Sequence, residues 1–151
     1  MLEQTTKLRA EKQDEYLAVL AGVDPDQLSR NGRFAFYINA YNAWILHLVL
    51  ADYPIKGVGG GHALGRNAFF GKNSLTVAGK KMSFNDLEHE TIRKQFEEPR
   101  IHFALNCASA GCPPLMAKPF RASSLDTDLT RLTRAFLNQN PEGVRKNSTG
   151  A

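Results

Sequence analysis

The residues with the clearest chemical potential lie in residues 101–114, which read IHFALNCASAGCPP. Cys107 follows an apolar run and precedes a loop of small residues, and Cys112 is followed by two prolines. Small residues leave backbone amides accessible, and such amides stabilise the oxyanion that forms when a thiolate attacks a carbonyl group. The segment therefore predicts a nucleophilic Cys107, with the amides of residues 108–111 as its oxyanion site.

Two other chemistries would use the same sulfur atoms. A disulfide between Cys107 and Cys112 would close a short loop, and the loop-entropy model predicts that it would stabilise the folded state by about 2 kcal/mol. A zinc ion held by both cysteines with His89 and His102 is less favoured, because C-x4-C spacing is loose for zinc and the HExxH pattern is absent. We expect no metal, and the choice between thiolate and disulfide stays open.

His89 is a better general base for Cys107 than His102. In a strand, His102 and Cys107 would point to opposite faces, and in a helix they would lie about 140° apart. We therefore interpret His102 as a core histidine. His89 lies at the edge of the apolar face of another predicted helix, and thiol enzymes take their cysteine and histidine from separate elements.

Several buried polar residues are candidates to support this pair. Asn39 and Asn42 fall about 60° apart on one helix face, at ~100° per residue, and buried amides need hydrogen-bond partners. We assign Asn42 to orienting or holding the site. Glu88 interrupts an apolar stripe and needs a partner such as Arg93. A purely structural polar network is the alternative reading of the same residues.

The elements that must position these residues follow from periodicity and capping signals. The predicted order begins with a helix over residues 2–21, a short helix over 24–30 that ends at Asn31-Gly32, and a buried helix over 33–50. A hairpin follows, with strands 75–77 and 81–83 around a turn at 78–80. The next helix runs from the Ser83–Asp86 capping box to about residue 98, and Ser124 or Asp126 caps the last helix. We expect one α+β domain over residues 1–151, mainly helical with a small sheet. The buried helix should lie against the Cys107 segment.

Composition narrows the classes of protein to consider. The chain has 151 residues, 42% of them hydrophobic, and a net charge of +4 without blocks of like charge, so we expect no nucleic-acid binding. Residues 34–51 carry no Asp, Glu, Lys or Arg, yet Asn39 and Asn42 favour a buried helix over a membrane span. The glycine-rich residues 53–74 do not have P-loop spacing and read as a surface loop or flap.

Three segments of the chain resemble the DUF547 family, a family without a settled activity: FAFYINAYNAWILHLVL, SFNDLEHETIR and EPRIHFALNCASAGCPPL. The resemblance covers about residues 20–144. It favours a bacterial protein of the periplasm or the secreted fraction. Family members usually continue beyond the last helix, so we expect the C-terminal end of the family domain to be missing here. The polar motif positions of the family fall on Asn39, Asn42, Glu88, His89, Arg93, His102, Asn106, Cys107 and Cys112.

Residue types and resemblance together indicate a thiol-dependent hydrolase or acyltransferase, with Cys107 as nucleophile and His89 as base. Its expected substrate is a peptide, amide or ester, and no cofactor is expected. The site resembles that of papain-like and transglutaminase-like enzymes, although His89 precedes Cys107 and the order would be permuted. The alternative function is a non-catalytic interaction module with a buried polar network and a Cys107–Cys112 disulfide. A reactive thiolate distinguishes the enzyme from the module.

Overall fold

The elements surround one long central helix in the computed structural model, which describes residues 2–51, 70–71, 75–109 and 111–139. The elements in chain order are α1 (Leu2–Gly22), a 3-10 turn (Pro25–Gln27), α2 (Arg30–Ala51), β1 (Leu75–Val77), β2 (Lys80–Met82), a π-helix (Asp86–Arg93) continued by α3 (Lys94–Phe96), a second 3-10 turn (Pro99–Phe103) and α4 (Leu125–Gln139). The mainly helical α+β prediction is confirmed. The predicted flap at residues 53–74 lies almost wholly outside the described residues.

The start of α2 differs from the prediction. The helix begins at Arg30 and runs through Asn31-Gly32, where the sequence predicted a break. The hydroxyl of Ser29 accepts a hydrogen bond from the Gly32 amide at 3.1 Å, which makes Ser29 the N-cap. The short helix predicted before this point is only the 3-10 turn Pro25–Gln27.

The centre of α2 is the core of the molecule. Ile38, Ala40 and Ile45 are almost completely buried, and α1, the hairpin and the π-helix supply the surrounding apolar side chains. By length and composition α2 could cross a membrane, but half of its most apolar window is buried inside the protein. Core helices meet the same criterion, and α2 packs here as a core helix. Its neighbours in the core include Leu17, Leu20, Leu75, Val77, Leu87 and Ile92.

The hairpin has a tighter turn than predicted. β1 and β2 pair antiparallel with Leu75 opposite Met82 and Val77 opposite Lys80. Only Ala78 and Gly79 connect them, and both have positive φ, 52° and 72°. Positive φ at both central residues matches the twist of the strands in a two-residue hairpin. β2 therefore begins one residue earlier than the sequence indicated.

The helix after the hairpin starts as predicted but winds differently. The Ser83 amide donates to Asp86 Oδ2 at 2.9 Å and the Asp86 amide donates to Ser83 Oγ at 3.1 Å, so the capping box is confirmed. The Ser83 amide and the Ser83 hydroxyl both donate to the Asp86 carboxylate, and these two hydrogen bonds lower its pKa. From Asp86 to Arg93 the chain forms a π-helix instead of the predicted α-helix. The helical segment ends before Glu97, which has a left-handed φ of 48°.

The segment before Cys107 is neither a strand nor an α-helix. Residues Pro99–Phe103 form a 3-10 turn that begins with a proline, and the chain then continues as irregular backbone to Cys107. Glu98 caps this turn, since its carboxylate accepts the Arg100 amide at 3.1 Å. Glu98 followed by Pro99 is the sequence signal that would have indicated such a turn.

Candidate functional site

A cleft of about 440 Å³ brings the predicted nucleophile and the predicted base to one place. Its wall combines the centre of α2, the π-helix, the second 3-10 turn and the start of the loop of residues 106–113, which we call the cysteine loop. Most of the titratable residues selected from the sequence lie on this wall. The lining residues are Tyr41, Phe70, Asn85, Glu88, His89, Arg93, His102 and Cys107.

The π-helix explains how Glu88 and Arg93 meet. Arg93 Nε and Nη2 both donate to Glu88 Oε1, at 3.1 and 2.7 Å. Five residues separate them, which in an α-helix would place them about 140° apart. A π-helix bonds residue i to residue i+5, so side chains five apart lie one above the other. The π winding therefore aligns this ion pair on the cleft wall.

His102 is exposed, so its interpretation as a core histidine is wrong. In the 3-10 turn the buried residue is Ile101, and the next side chain turns outward into the cleft wall. The His102 ring meets the Phe103 ring edge-on at 5.3 Å between centroids. Phe103 in turn packs on Phe136 of α4. His89 is also exposed, so two imidazoles border the same cleft as Cys107.

An ion-pair network that sequence reasoning missed fixes the His102 turn to α4. Arg100 Nε and Nη2 donate to the Glu98 carboxylate at 2.8 and 2.7 Å. The same guanidinium donates to Thr130 Oγ1 at 2.7 Å and to Asp126 Oδ1 at 2.9 Å. Its hydrogen bonds hold the pKa of the Glu98 carboxyl below its usual range, despite partial burial. This network sets the position of the His102 backbone relative to the cleft.

The amide of Asn42 holds the chain just before Cys107. Asn42 Nδ2 donates to the Ala104 carbonyl at 2.8 Å, and Asn42 Oδ1 accepts the Asn106 amide at 3.0 Å. The nitrogen and the oxygen of the Asn42 amide each bond to backbone of the segment that leads to Cys107. The predicted packing of the buried helix against the Cys107 segment is present.

Asn39 makes an equivalent pair of bonds elsewhere. Its Nδ2 donates to the Phe120 carbonyl at 2.9 Å, and its Oδ1 accepts the Phe120 amide at 2.8 Å. Asn39 and Asn42 both line a second, mostly apolar cleft of about 310 Å³ between α1, α2 and residues 115–120. Asn39 therefore supports the loop at Phe120, 81 residues further along the chain, and not the segment just before Cys107.

The Asn106 side chain forms hydrogen bonds with backbone groups near both ends of the cysteine loop. Its Oδ1 accepts the Ala108 amide at 2.7 Å and its Nδ2 donates to the Pro113 carbonyl at 2.7 Å. We call these two bonds the Asn106 bridge. Because the Ala108 amide is engaged in the bridge, it is not free for the predicted oxyanion site. Ala108 itself has a left-handed φ of 55°.

Cys107 and Cys112 form a disulfide within this loop, with their Cα atoms 6.1 Å apart. The Cys107 amide donates to Cys112 Sγ at 3.2 Å, and the Cys112 amide donates to the Ser109 carbonyl at 3.0 Å. In this state neither sulfur is a thiolate, so neither can act as a nucleophile or as the zinc ligand considered from the sequence. The disulfide considered from the sequence is therefore the form that the structure contains.

Comparison with known proteins identifies the family. The model of the family described as protein of unknown function, DUF547, matches residues 25–137, which confirms the resemblance seen in the motifs. No curated protein and no solved structure shows a significant match to the chain. The matched range includes every lining residue of the Cys107 cleft. The chain therefore belongs to the DUF547 family of proteins of unknown function.

Proposed function

We propose that this protein is a thiol-dependent hydrolase or acyltransferase that acts in its reduced state. The observation that carries the proposal is the single cleft lined by Cys107 and His89. A thiol and an imidazole on separate elements of one cleft are the minimum for nucleophilic catalysis at a carbonyl carbon. The substrate class is a peptide, amide or ester.

The chemistry proceeds through an acyl-thioester. His89 accepts the Cys107 thiol proton, and the Cys107 thiolate attacks the substrate carbonyl carbon. The tetrahedral intermediate collapses, and the leaving group departs with the proton from His89. Water then attacks the thioester in a hydrolase, or a second nucleophile attacks it in an acyltransferase. In both cases Cys107 returns as a thiol.

The other residues of the site act as positioning residues. Asn42 and Asn106 fix the backbone on both sides of Cys107. The Glu88–Arg93 ion pair stabilises the π winding next to His89, and Arg93 is 36% exposed on the cleft wall. His102 is a second imidazole in the cleft and provides the natural control for His89.

The test is the pH dependence of iodoacetamide alkylation at Cys107 in fully reduced protein, followed peptide by peptide with mass spectrometry. We expect a midpoint well below the ~8.5 of an ordinary thiol, with glutathione in the same reaction as the ordinary-thiol reference. His89→Ala should return the midpoint to the ordinary value, whereas His102→Ala should leave it unchanged. An ordinary midpoint in the wild-type protein would contradict the proposal, and a shift in His102→Ala alone would overturn the assignment of the base.

The second candidate function is a non-catalytic interaction module, and the disulfide is the observation that favours it. In that function the cysteine loop is a structural feature, supported by the Asn106 bridge and by Asn42. The reduced thiols would then both alkylate slowly with ordinary midpoints. The same alkylation experiment therefore separates the two candidates.

A further inference from the structure

We infer that the Cys107–Cys112 disulfide is a reversible redox lock on the cleft, opened by a dithiol reductant and closed by a peroxide. The inference rests on the proposed function, because the lock controls whether Cys107 is available as a nucleophile. Cys107 lines the cleft, and in the oxidised form its sulfur is bonded to Cys112. Reduction converts that sulfur to a thiol without moving it to another part of the molecule.

The first argument is that the loop is held without the disulfide. The Asn106 bridge joins Ala108 to Pro113, so it closes the same loop as the two sulfur atoms. Asn42 fixes the Asn106 amide from α2, and the Cys112 amide bonds back to Ser109. All of these bonds are independent of the S–S bond. We therefore expect the loop to keep its conformation when the disulfide opens.

The second argument is access. Cys107 and Cys112 are both half-buried, and Cys107 borders an open cleft. Thiol–disulfide exchange requires that the attacking thiolate approach one sulfur directly. A small dithiol can approach Cys107 Sγ through the cleft. The site for the reductant is thus the same cleft that would take the substrate.

The third argument is the hydrogen bond to the leaving group. When a reductant thiolate attacks Cys107 Sγ, a mixed disulfide forms there and Cys112 leaves as a thiolate. The Cys107 amide already donates to Cys112 Sγ at 3.2 Å, and a hydrogen bond to the leaving sulfur stabilises its charge. The second thiol of the reductant then attacks the mixed disulfide, releases the Cys107 thiolate and leaves as a cyclic disulfide. Two electrons pass from the dithiol to the protein.

Closing of the lock uses a peroxide as the oxidant. The Cys107 thiolate attacks one oxygen of hydrogen peroxide, the O–O bond breaks, and Cys107 becomes a sulfenic acid as hydroxide leaves and is protonated to water. The Cys112 thiol then attacks the sulfenic sulfur, the disulfide forms, and a second water leaves. Cys112 thereby removes the sulfenic acid before further oxidation.

The experiment is a redox titration of the native protein in buffers of reduced and cyclic oxidised dithiothreitol. Free thiols are trapped with N-ethylmaleimide and counted by mass spectrometry, and circular dichroism follows the fold. We expect both thiols to appear together without denaturant, with an unchanged spectrum, and to disappear after hydrogen peroxide. The lock is overturned if the disulfide opens only in denaturant or if its opening unfolds the protein.

A matched variant separates the lock from the proposed function. In Cys112→Ser, with Cys112→Ala as the replacement if the serine variant does not fold, we expect Cys107 to alkylate rapidly with or without reductant. Wild-type alkylation should instead follow the fraction of reduced disulfide. If the variant alkylates rapidly but the wild-type disulfide resists native reduction, the lock fails and the proposed function stands. If the disulfide cycles but Cys107 of the variant reacts like an ordinary thiol, the proposed function fails and the lock fails with it.

Discussion

At the residue scale, the central feature is a side-chain amide that completes the hydrogen bonds of a remote backbone segment. Asn42 and Asn39 each offer one donor and one acceptor to an irregular segment that has no sheet or helix partner at that point. An unpaired buried backbone group destabilises the fold by about 1–3 kcal/mol, so these amides are needed where α2 meets loops.

The two asparagines give a matched pair of variants. Asn42→Ala and Asn39→Ala each remove two hydrogen bonds, and we expect each to lower the free energy of unfolding by about 2 kcal/mol. Only Asn42→Ala should also slow alkylation of reduced Cys107, because only Asn42 holds the Asn106 amide. Urea unfolding and site-resolved alkylation measure the two effects. Equal slowing in Asn39→Ala would contradict the assigned role of Asn42.

The sequence predicted that these amides would be buried and would need partners; both residues are half-buried in the structure, and the sequence did not indicate which partners they bind. Ala104 lies 62 residues from Asn42, and Phe120 lies 81 residues from Asn39. No local pattern encodes contacts at such separations. Charge suggested Arg93 as a partner for Glu88, but the predicted α-helix would place the two about 140° apart, so their direct contact depends on the π winding.

At the element scale, the structure depends on two irregular helical segments that the sequence specifies only partly. The capping box placed the start of the helix just after Ser83, and Glu98-Pro99 limited its end. The π winding was not visible, because the apolar positions of residues 84–96 fit an α-helix as well. The π winding brings the side chains of Glu88 and Arg93 together, so their ion pair depends on this winding. The 3-10 turn likewise moved His102 from the predicted core to the cleft.

The Glu98–Arg100 pair makes a pH-dependent contribution to the 3-10 turn. Arg100 lowers the pKa of Glu98 in the folded state, so the unfolded state binds a proton more readily. The stabilisation is therefore present above the ordinary glutamate pKa and is lost as the pH falls through the lower folded-state pKa. Glu98→Gln should reduce the free energy of unfolding by about 1 kcal/mol at neutral pH.

This deficit should shrink as the pH falls through the lowered folded-state pKa of Glu98, because the wild-type carboxyl then becomes protonated as well. Urea unfolding of both proteins over a series of pH values from neutral into the acid range measures it, and Glu97→Gln, at the exposed neighbouring position, is the control. A deficit that stays constant or grows as the pH falls would show that the carboxylate charge of Glu98 does not stabilise the fold.

At the scale of the whole molecule, α2 joins the parts that form the site. Its buried centre packs on α1, the hairpin and the π-helix, Tyr41 reaches the cleft wall, and Asn42 holds the cysteine loop. Hydrophobic periodicity predicted this helix and its burial, and the cysteine loop was recognised from its residue types. The shared cleft was not derivable, because it requires the packing of four elements from three regions of the chain. The family is described as one of unknown function, so a test of the proposed function must be made on Cys107 itself.

The most direct measurement is transfer of an acetyl group from p-nitrophenyl acetate to Cys107. We would use Cys112→Ser, in which Cys107 cannot form the disulfide, and compare it with the Cys107→Ser/Cys112→Ser double variant. The proposed function predicts faster p-nitrophenol release by the single variant and one acetyl group on the Cys107 peptide, trapped by acid quenching. Equal release by both variants, with acetyl groups only on lysines, would contradict nucleophilic catalysis by Cys107.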